Sequence, residues 1–595
     1  MTPILLGEHR TTRGRVFLDP DMFRTHMHLI GATGTGKTTA IHAILRGLML
    51  QVGRDECSLF VIDPMGNLSR DLLNFIAHPV FCTRRVRERL IYIEPAREDV
   101  VMSFNPLSFT TPANRYYQTM RAVDLVLRGW AAQDVSQQPR LLQWTFKAFC
   151  AAAMMGLPIS MCQHLIHTGT TEHEAILNRI PGNIRNHWME ILNARGAAAT
   201  PILESTRNRL DPFFESPILK MMFGSRRSRF DCERFIRERK IVIVNLAKLR
   251  RVPELTADTI GALMLNEIFE TASQLTTTCG RAVVDPTYVL LDEFQKYVSP
   301  DIEDALPTVR QMGLRLILAH QSFSQLERED LNLEQMVWQA RSRLIFANYA
   351  KDADLLADEL AKITFNNKVK KDVRTSKKQL IKGYRVEWLE SESESLSETS
   401  ASGNQMSDSH GATVTYEGSK PAFGYGNQLA EGTSRTSGEG TSRSKGESRG
   451  RSAGRSQSLV PIHDTFDEIS NITYESFEEY SLKWGQRLRT LKEGQAYLQM
   501  PGTPSIDPIQ VDYFPIEETP ELRDAVAELE ARNFASEHFV SRGQANQEYE
   551  QCWEEMLKLP LQGTSGNQGR HHDEHSLTIP RPDQAANDSP SGFTL

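Results

Sequence analysis

The stretch His28-Leu-Ile-Gly-Ala-Thr-Gly-Thr-Gly-Lys-Thr-Thr39 constrains this chain more than any other. It fits G-x-x-x-x-G-K-[ST] at Gly31, Gly36, Lys37 and Thr38. Apolar Met27 to Ile30 predicts a strand running into it, and the spacing of Ile41, Ile44, Leu45 and Leu48 predicts a helix from Thr38. Strand, glycine-rich turn and helix are the context that lets such a motif cradle phosphate. Gly31, Gly34 and Gly36 let backbone N–H groups turn inward, and the helix start adds donors and positive potential. The segment Gly31, Ala32, Thr33, Gly34, Thr35, Gly36, Lys37, Thr38 and Thr39 is therefore expected to hold ATP. Lys37 would reach the β- and γ-phosphates, and the Thr38 hydroxyl would hold Mg²⁺.

With 595 residues, 40 % of them apolar, the chain can fill roughly two to four domains. Its net charge of −7 is uneven, +8 over residues 1–390 and −15 over 391–595. A mildly basic body with an acidic tail permits nucleic-acid contact without establishing it. The seven cysteines are scattered and form no C-x-x-C, which predicts a reducing compartment with neither a disulfide framework nor a zinc site. Glu8, Arg10, Arg13 and Arg15 interrupt any signal peptide, and the longest apolar candidate, Ala148 to Met161, falls short of the ~20 residues of a membrane helix. The expectation is a cytoplasmic protein with no membrane segment of its own.

The pattern along the chain predicts an α/β fold: a RecA-like P-loop domain with a mainly parallel wound sheet. Strands are expected at Leu59 to Ile62, Leu90 to Ile93, Lys240 to Leu246, Tyr288 to Phe294, Leu314 to Gln321 and Arg343 to Ala347, with a helix from about Thr259 to Gln274. Residues 1–112 and 231–389 would form the two parts of this core. Residues 113–230 carry helical periodicity without strand-like runs and read as an inserted all-α subdomain. Its end, from Thr206 to Arg229, is arginine-rich and suits either phosphate contact or a solvated helix face. Residues 390–458, rich in Ser, Gly, Thr and Glu, are expected to be disordered. Residues 459–515 would return a helix, Phe477 to Leu491, and two strands to the core. Residues 516–595 read as an acidic, largely disordered tail, with helix expected to about residue 558.

Asp292-Glu293 ends an apolar strand, and ligands of a wound sheet gather beyond the carboxyl ends of its strands. Asp292 would hold Mg²⁺ with Thr38, and Glu293 would polarise the attacking water. Gln321, at the end of the next strand, is a candidate sensor of the γ-phosphate. Asp63 would support Mg²⁺ or order a loop. Arg310 is the first candidate for an arginine acting on a neighbouring subunit's nucleotide, with Arg341 and Arg343 as alternatives.

Together these residues resemble the HerA–FtsK superfamily. The phosphate loop with His28 before it, Ile62-Asp-Pro-Met-Gly-Asn-Leu68, Ser103-Phe-Asn-Pro-Leu107, Leu291-Asp-Glu-Phe294, Arg310 and Ala319-His-Gln-Ser322 look most like TraD/TraG-type coupling ATPases of conjugative and type IV secretion systems. The resemblance covers about residues 20–350 and resumes at 475–515. It implies a homo-hexameric ring with ATP between subunits and DNA in the pore. By residue match, Lys37 and Thr38 would bind nucleotide, Asp292 and Glu293 form the acid pair, Gln321 act as sensor and Arg310 act across the interface. Two features depart from the pattern. The loop starts at residue 31, which leaves no room for the transmembrane helices of membrane-bound coupling proteins, and Asn67 stands where an acid is frequent.

Three readings stay open from sequence. One is a DNA-translocating motor serving a relaxase or secretion channel, or a HerA-like translocase partnered with a nuclease. Another is a nucleotide-gated assembly scaffold recruiting partners through residues 390–595. The third is a protein-remodelling ATPase with the same nucleotide residues.

Overall fold

The computed structural model describes residues 2–108, 115–130, 139–193, 199–247, 254–279, 285–297, 310–328, 331–397, 448–503 and 505–561. The chain divides into one unit of residues 1–366 with 476–595 and a second of residues 367–475. In chain order the strands are β1 (Ile4–His9), β2 (Arg15–Leu18), β3 (Met27–Ile30), β4 (Ser58–Asp63), β5 (Leu90–Ile93), β6 (Val100–Val101), β7 (Ile241–Asn245), β8 (Thr287–Asp292), β9 (Leu314–His320), β10 (Glu327–Arg328), β11 (Leu331–Asn332), β12 (Ser342–Ile345), β13 (Lys370–Ser397), β14 (Ser448–Tyr474), β15 (Gln495–Gln499), β16 (Ile506–Val511) and β17 (Val540–Ser541).

The first unit is built on an eleven-stranded sheet of order β2-β1-β16-β15-β12-β3-β9-β8-β4-β7-β5. From β12 to β5 every neighbouring pair is parallel. The four strands beyond β12 add on antiparallel. β3, β4 and β7 are buried along their whole length, because helices cover both faces and the strands read as unbroken apolar runs. Alternate residues of β4 feed two cores. Leu59 and Val61 pack with Ile41, Ile44 and Leu48 of α1 (Lys37–Val52) on one face. Phe60 and Ile62 pack on the other face, in the core shared with the helix Glu254–Cys279.

Between β6 and β7 the chain forms a series of helices from Arg115–Trp130 to Pro217–Met222. Trp188 and Phe149 lie fully buried among them, as the helical periodicity of this region leads one to expect. β15 and β16 bring the 495–511 segment back to the sheet.

Two expectations need correction. Residues 516–561 carry the helix expected to about 558, but it is packed on the core and is no loose tail. Helix Pro520–Phe534 buries Leu522 and Leu529, and Asn533 closes the edge of β5 by accepting from the Tyr92 N–H at 2.9 Å and donating to its carbonyl at 2.8 Å. Helix Arg542–Leu557 starts in a Ser541–Gln544 capping box and is preceded by β17, which pairs with β6. The acidic composition hid a sparse set of apolar positions, enough to dock two helices once a core exists to receive them. The second correction concerns 390–458, expected to be disordered. Residues 390–397 and 448–458 lie in β13 and β14, antiparallel partners that make up the ribbon of the second unit. Local composition does not count cross-strand pairing. Residues 398–447 and 562–595, with the rest of both expectations, lie outside the described residues.

Candidate active site

β3 delivers the chain to Gly31, where an added Cβ would stand 2.6 Å from the Phe346 Cβ and 2.7 Å from the Thr35 Oγ1. Gly34 and Gly36 take φ of 77° and 98°, left-handed values that suit glycine. α1 then starts at Lys37 with Gly36 as its N-cap, no side-chain cap and no acid in its first turn. Its first N–H groups are left for an anion. Lys37 is buried, its Nζ lacks a hydrogen bond and stands 3.7 Å from Glu293 Oε1. Burial lowers the Lys37 pKa against the opposing pull of Asp292 and Glu293.

The acids come from β8. Asp292 is its last residue, and its Oδ1 is buried without a hydrogen bond. Burial, with Glu293 and Asp63 nearby, pushes the Asp292 pKa up to about 6 despite Lys37. Glu293 follows at φ 53°, a conformation costing roughly 1–3 kcal/mol in a non-glycine residue. Two amides hold its carboxylate. Gln295 Nε2 donates to Oε2 at 2.8 Å, and Gln321 Nε2 donates to Oε1 at 2.7 Å. Gln321 Oε1 in turn accepts from Thr33 Oγ1 at 2.8 Å. Gln321 follows β9, which lies between β3 and β8. One amide thus ties the phosphate loop to the acid pair across three strand ends.

Below this layer His28 of β3 and His320 of β9 meet Nε2 to Nε2 at 2.7 Å with nearly parallel rings. Burial pushes both pKa values down, that of His320 to about 4, so at neutral pH the pair is an uncharged tie.

A buried ammonium, a buried carboxyl oxygen without a hydrogen bond and an uncapped helix start lie close together, and they suit a polyphosphate carrying a divalent cation. Two family models match the chain. "Helicase HerA, central domain" spans residues 4–268, and "TraM recognition site of TraD and TraG" spans 286–408.

Over residues 4–268 the chain is similar to the central domain of the helicase HerA.

Among solved structures, the plasmid coupling protein TrwB with ADP and Mg²⁺ aligns at 13 % identity over 88 % of this chain and 97 % of that one, TM-score 0.48. TrwB with a non-hydrolysable ATP analogue aligns at 13 % over 87 % and 96 %, TM-score 0.46. No curated protein matches the chain in sequence.

Other residues singled out from the sequence have mixed fates. Thr38 is exposed beside the loop and Thr39 half-buried. Asp63 orders a loop: its carboxylate accepts from the N–H groups of Met65, Gly66 and Ser69 and from the Ser69 hydroxyl. Arg310 opens a short 3₁₀ turn, and its side chain lies outside the described residues. Arg341 is exposed. Arg343 is no candidate for a neighbour's nucleotide: it is buried over the Trp338 ring and donates to the Trp338 carbonyl at 2.8 Å. Among the described residues no helix is long and apolar enough to cross a membrane.

Sequence reasoning missed three supports. The motifs holding His28 and His320 were not paired with one another, Gln295 was passed over, and Gly494 was not connected with the loop, although the Gly494 N–H donates to the Thr35 carbonyl at 2.9 Å. Only the histidines left a trace, as polar residues in two apolar strands.

Proposed function

We propose that this protein is an ATP-driven DNA translocase of the conjugative coupling type, a hexameric ring that hydrolyses ATP at its subunit interfaces. The observation that carries the reading is the contact chain Thr33–Gln321–Glu293–Lys37, which joins the phosphate loop to the acid pair in one pocket. The loop N–H groups and Lys37 would bind the phosphates of ATP. Thr38 and Asp292 would hold Mg²⁺, which neutralises charge on the β- and γ-oxygens when bound. Glu293, held in orientation by Gln295 and Gln321, would accept the proton of the attacking water. Gln321 would report the loop's state to Glu293, and Arg310 would stabilise transition-state charge on the adjoining subunit's nucleotide.

The match to the HerA central domain, the basic 1–390 body and the match to a TraM recognition segment favour DNA as cargo and a transfer apparatus, relaxase or secretion channel as partner. TrwB, crystallised with ADP and Mg²⁺, is named as a plasmid coupling protein. The reading assigns residues 1–112 and 231–389 to the motor core and 113–230 to an accessory helical subdomain. The test is ATP hydrolysis with and without DNA. Stimulation by DNA should vanish in Lys37→Ala and Glu293→Gln, and hydrolysis indifferent to DNA sinks the reading. Mass measurement with ATP and DNA tests the ring.

A further inference from the structure

β13 and β14 form a two-stranded sheet of their own, so each strand leaves one edge of outward N–H and C=O groups unpaired in that sheet. A ribbon of two strands is marginal in water by itself. This one also exposes large apolar side chains on both strands: Tyr384 60 %, Val386 53 % and Trp388 60 % on β13, and Leu459 64 %, Ile462 46 % and Phe466 44 % on β14. Apolar surface on this scale marks an interaction site.

The two edges differ in sign. Over Lys370–Trp388, β13 carries seven Lys or Arg against Asp372 and Glu387, a net +5. Over Gln457–Tyr474, β14 carries Asp464, Asp467 and Glu468 and no Lys or Arg, a net −3. Within the ribbon Lys378 reaches Glu468 at 2.5 Å and Lys382 reaches Asp464 at 3.1 Å. These pairs show that lysines of one strand reach acids across one strand spacing. The same spacing, ~4.8 Å, would separate β14 from an added strand.

We propose that the ribbon is a self-association surface, with β13 of one copy adding alongside β14 of the next and the ribbons side by side in the same direction. Like strands in that direction would set positive against positive or negative against negative. The joined surfaces are unlike, so the contact is head-to-tail, and every addition leaves one open edge of each kind until a ring closes. The inference stands on the ribbon and does not need the nucleotide reading.

The experiment uses two full-length chains, one with Gln379→Cys and one with Thr465→Cys, both at exposed positions. Cys57, Cys82, Cys150, Cys162, Cys232 and Cys552 are buried, and both chains carry Cys279→Ser. Each chain is expressed alone and together with the other, then treated with a short bismaleimide. Covalent dimers are expected only from the co-expressed pair. Their absence there, or equal yields from either chain alone, overturns the proposal. A second set of chains exchanges the charges, with Lys377, Lys378 and Lys382 changed to Glu and Asp464, Asp467 and Glu468 changed to Lys, which preserves complementarity within each ribbon. Exchanged chains should cross-link with one another and yield at least tenfold fewer dimers with unexchanged chains. Equal mixing overturns the proposal. ATP hydrolysis by the same preparations reports separately on the nucleotide reading.

Discussion

Gly36 and Gly494 touch: a Cβ on Gly36 would lie 2.6 Å from the Gly494 nitrogen, the atom that donates to the Thr35 carbonyl. The turn before β15 is therefore the outer wall of the phosphate loop. Gly36→Ala meets both this wall and a φ of 98°, and Gly494→Ala meets a φ of 74°. Each should lose about 1–3 kcal/mol of stability and weaken nucleotide binding. Gly182→Ala, with nothing within 4 Å, should do neither. Thermal unfolding and nucleotide titration check this. Unimpaired binding in Gly494→Ala would show that the wall is passive.

Gln321 links Thr33 to Glu293, so Gln321→Ala should slow single-turnover hydrolysis roughly 10²-fold with nucleotide affinity changed only a few-fold. Gln321→Glu should be worse, since it sets a second carboxylate against Glu293. A Gln321→Ala enzyme with wild-type turnover would remove the amide from the mechanism.

Asp292 is raised to about 6. The folded state therefore holds this proton more tightly than the unfolded chain, whose carboxyl titrates near its ordinary ~3.9. Ionisation above pH 6 costs the empty protein stability, and that cost disappears as pH falls below about 4. Asp292→Asn should be more stable than the wild type by roughly 1–3 kcal/mol at pH 8, and equal to it near pH 3.5. Cation binding needs the ionised form, so wild-type affinity for Mg²⁺-nucleotide should fall as pH drops through 6. Denaturation midpoints across pH and calorimetric titration read the two effects.

The buried His28–His320 pair is neutral in the folded state, while the unfolded imidazoles take up protons below ~6.5. Stability should fall as pH drops from about 6.5 towards 4. His28→Leu with His320→Leu should flatten that fall by up to two protons' worth of slope. Urea midpoints at pH 7, 6 and 5 give the comparison, and an unchanged slope would mean that other groups control it.

Much of the wound sheet was legible because β3, β4, β7, β8 and β9 are short apolar runs ending in polar residues, a pattern set locally by burial on both faces. The phosphate loop was legible because its glycines, lysine and threonine are contiguous. The ribbon was not, since β13 and β14 are kept apart by residues 398–447 and their pairing is a property of two segments, not of either one. The docking of the carboxyl-terminal helices was obscured in the same way: Asn533 gains meaning only beside the open edge of β5.

By itself the sequence determined which residues can bind phosphate and cation, and which segments must be strands or helices, because those properties reside in neighbouring side chains. Only the tertiary structure decided that Gln321 bridges Thr33 to Glu293, that Gly494 walls the loop and that Asp63 is consumed by its own turn. Strand order in a sheet is set by the total burial of the folded chain, and no local pattern encodes which strand ends will meet.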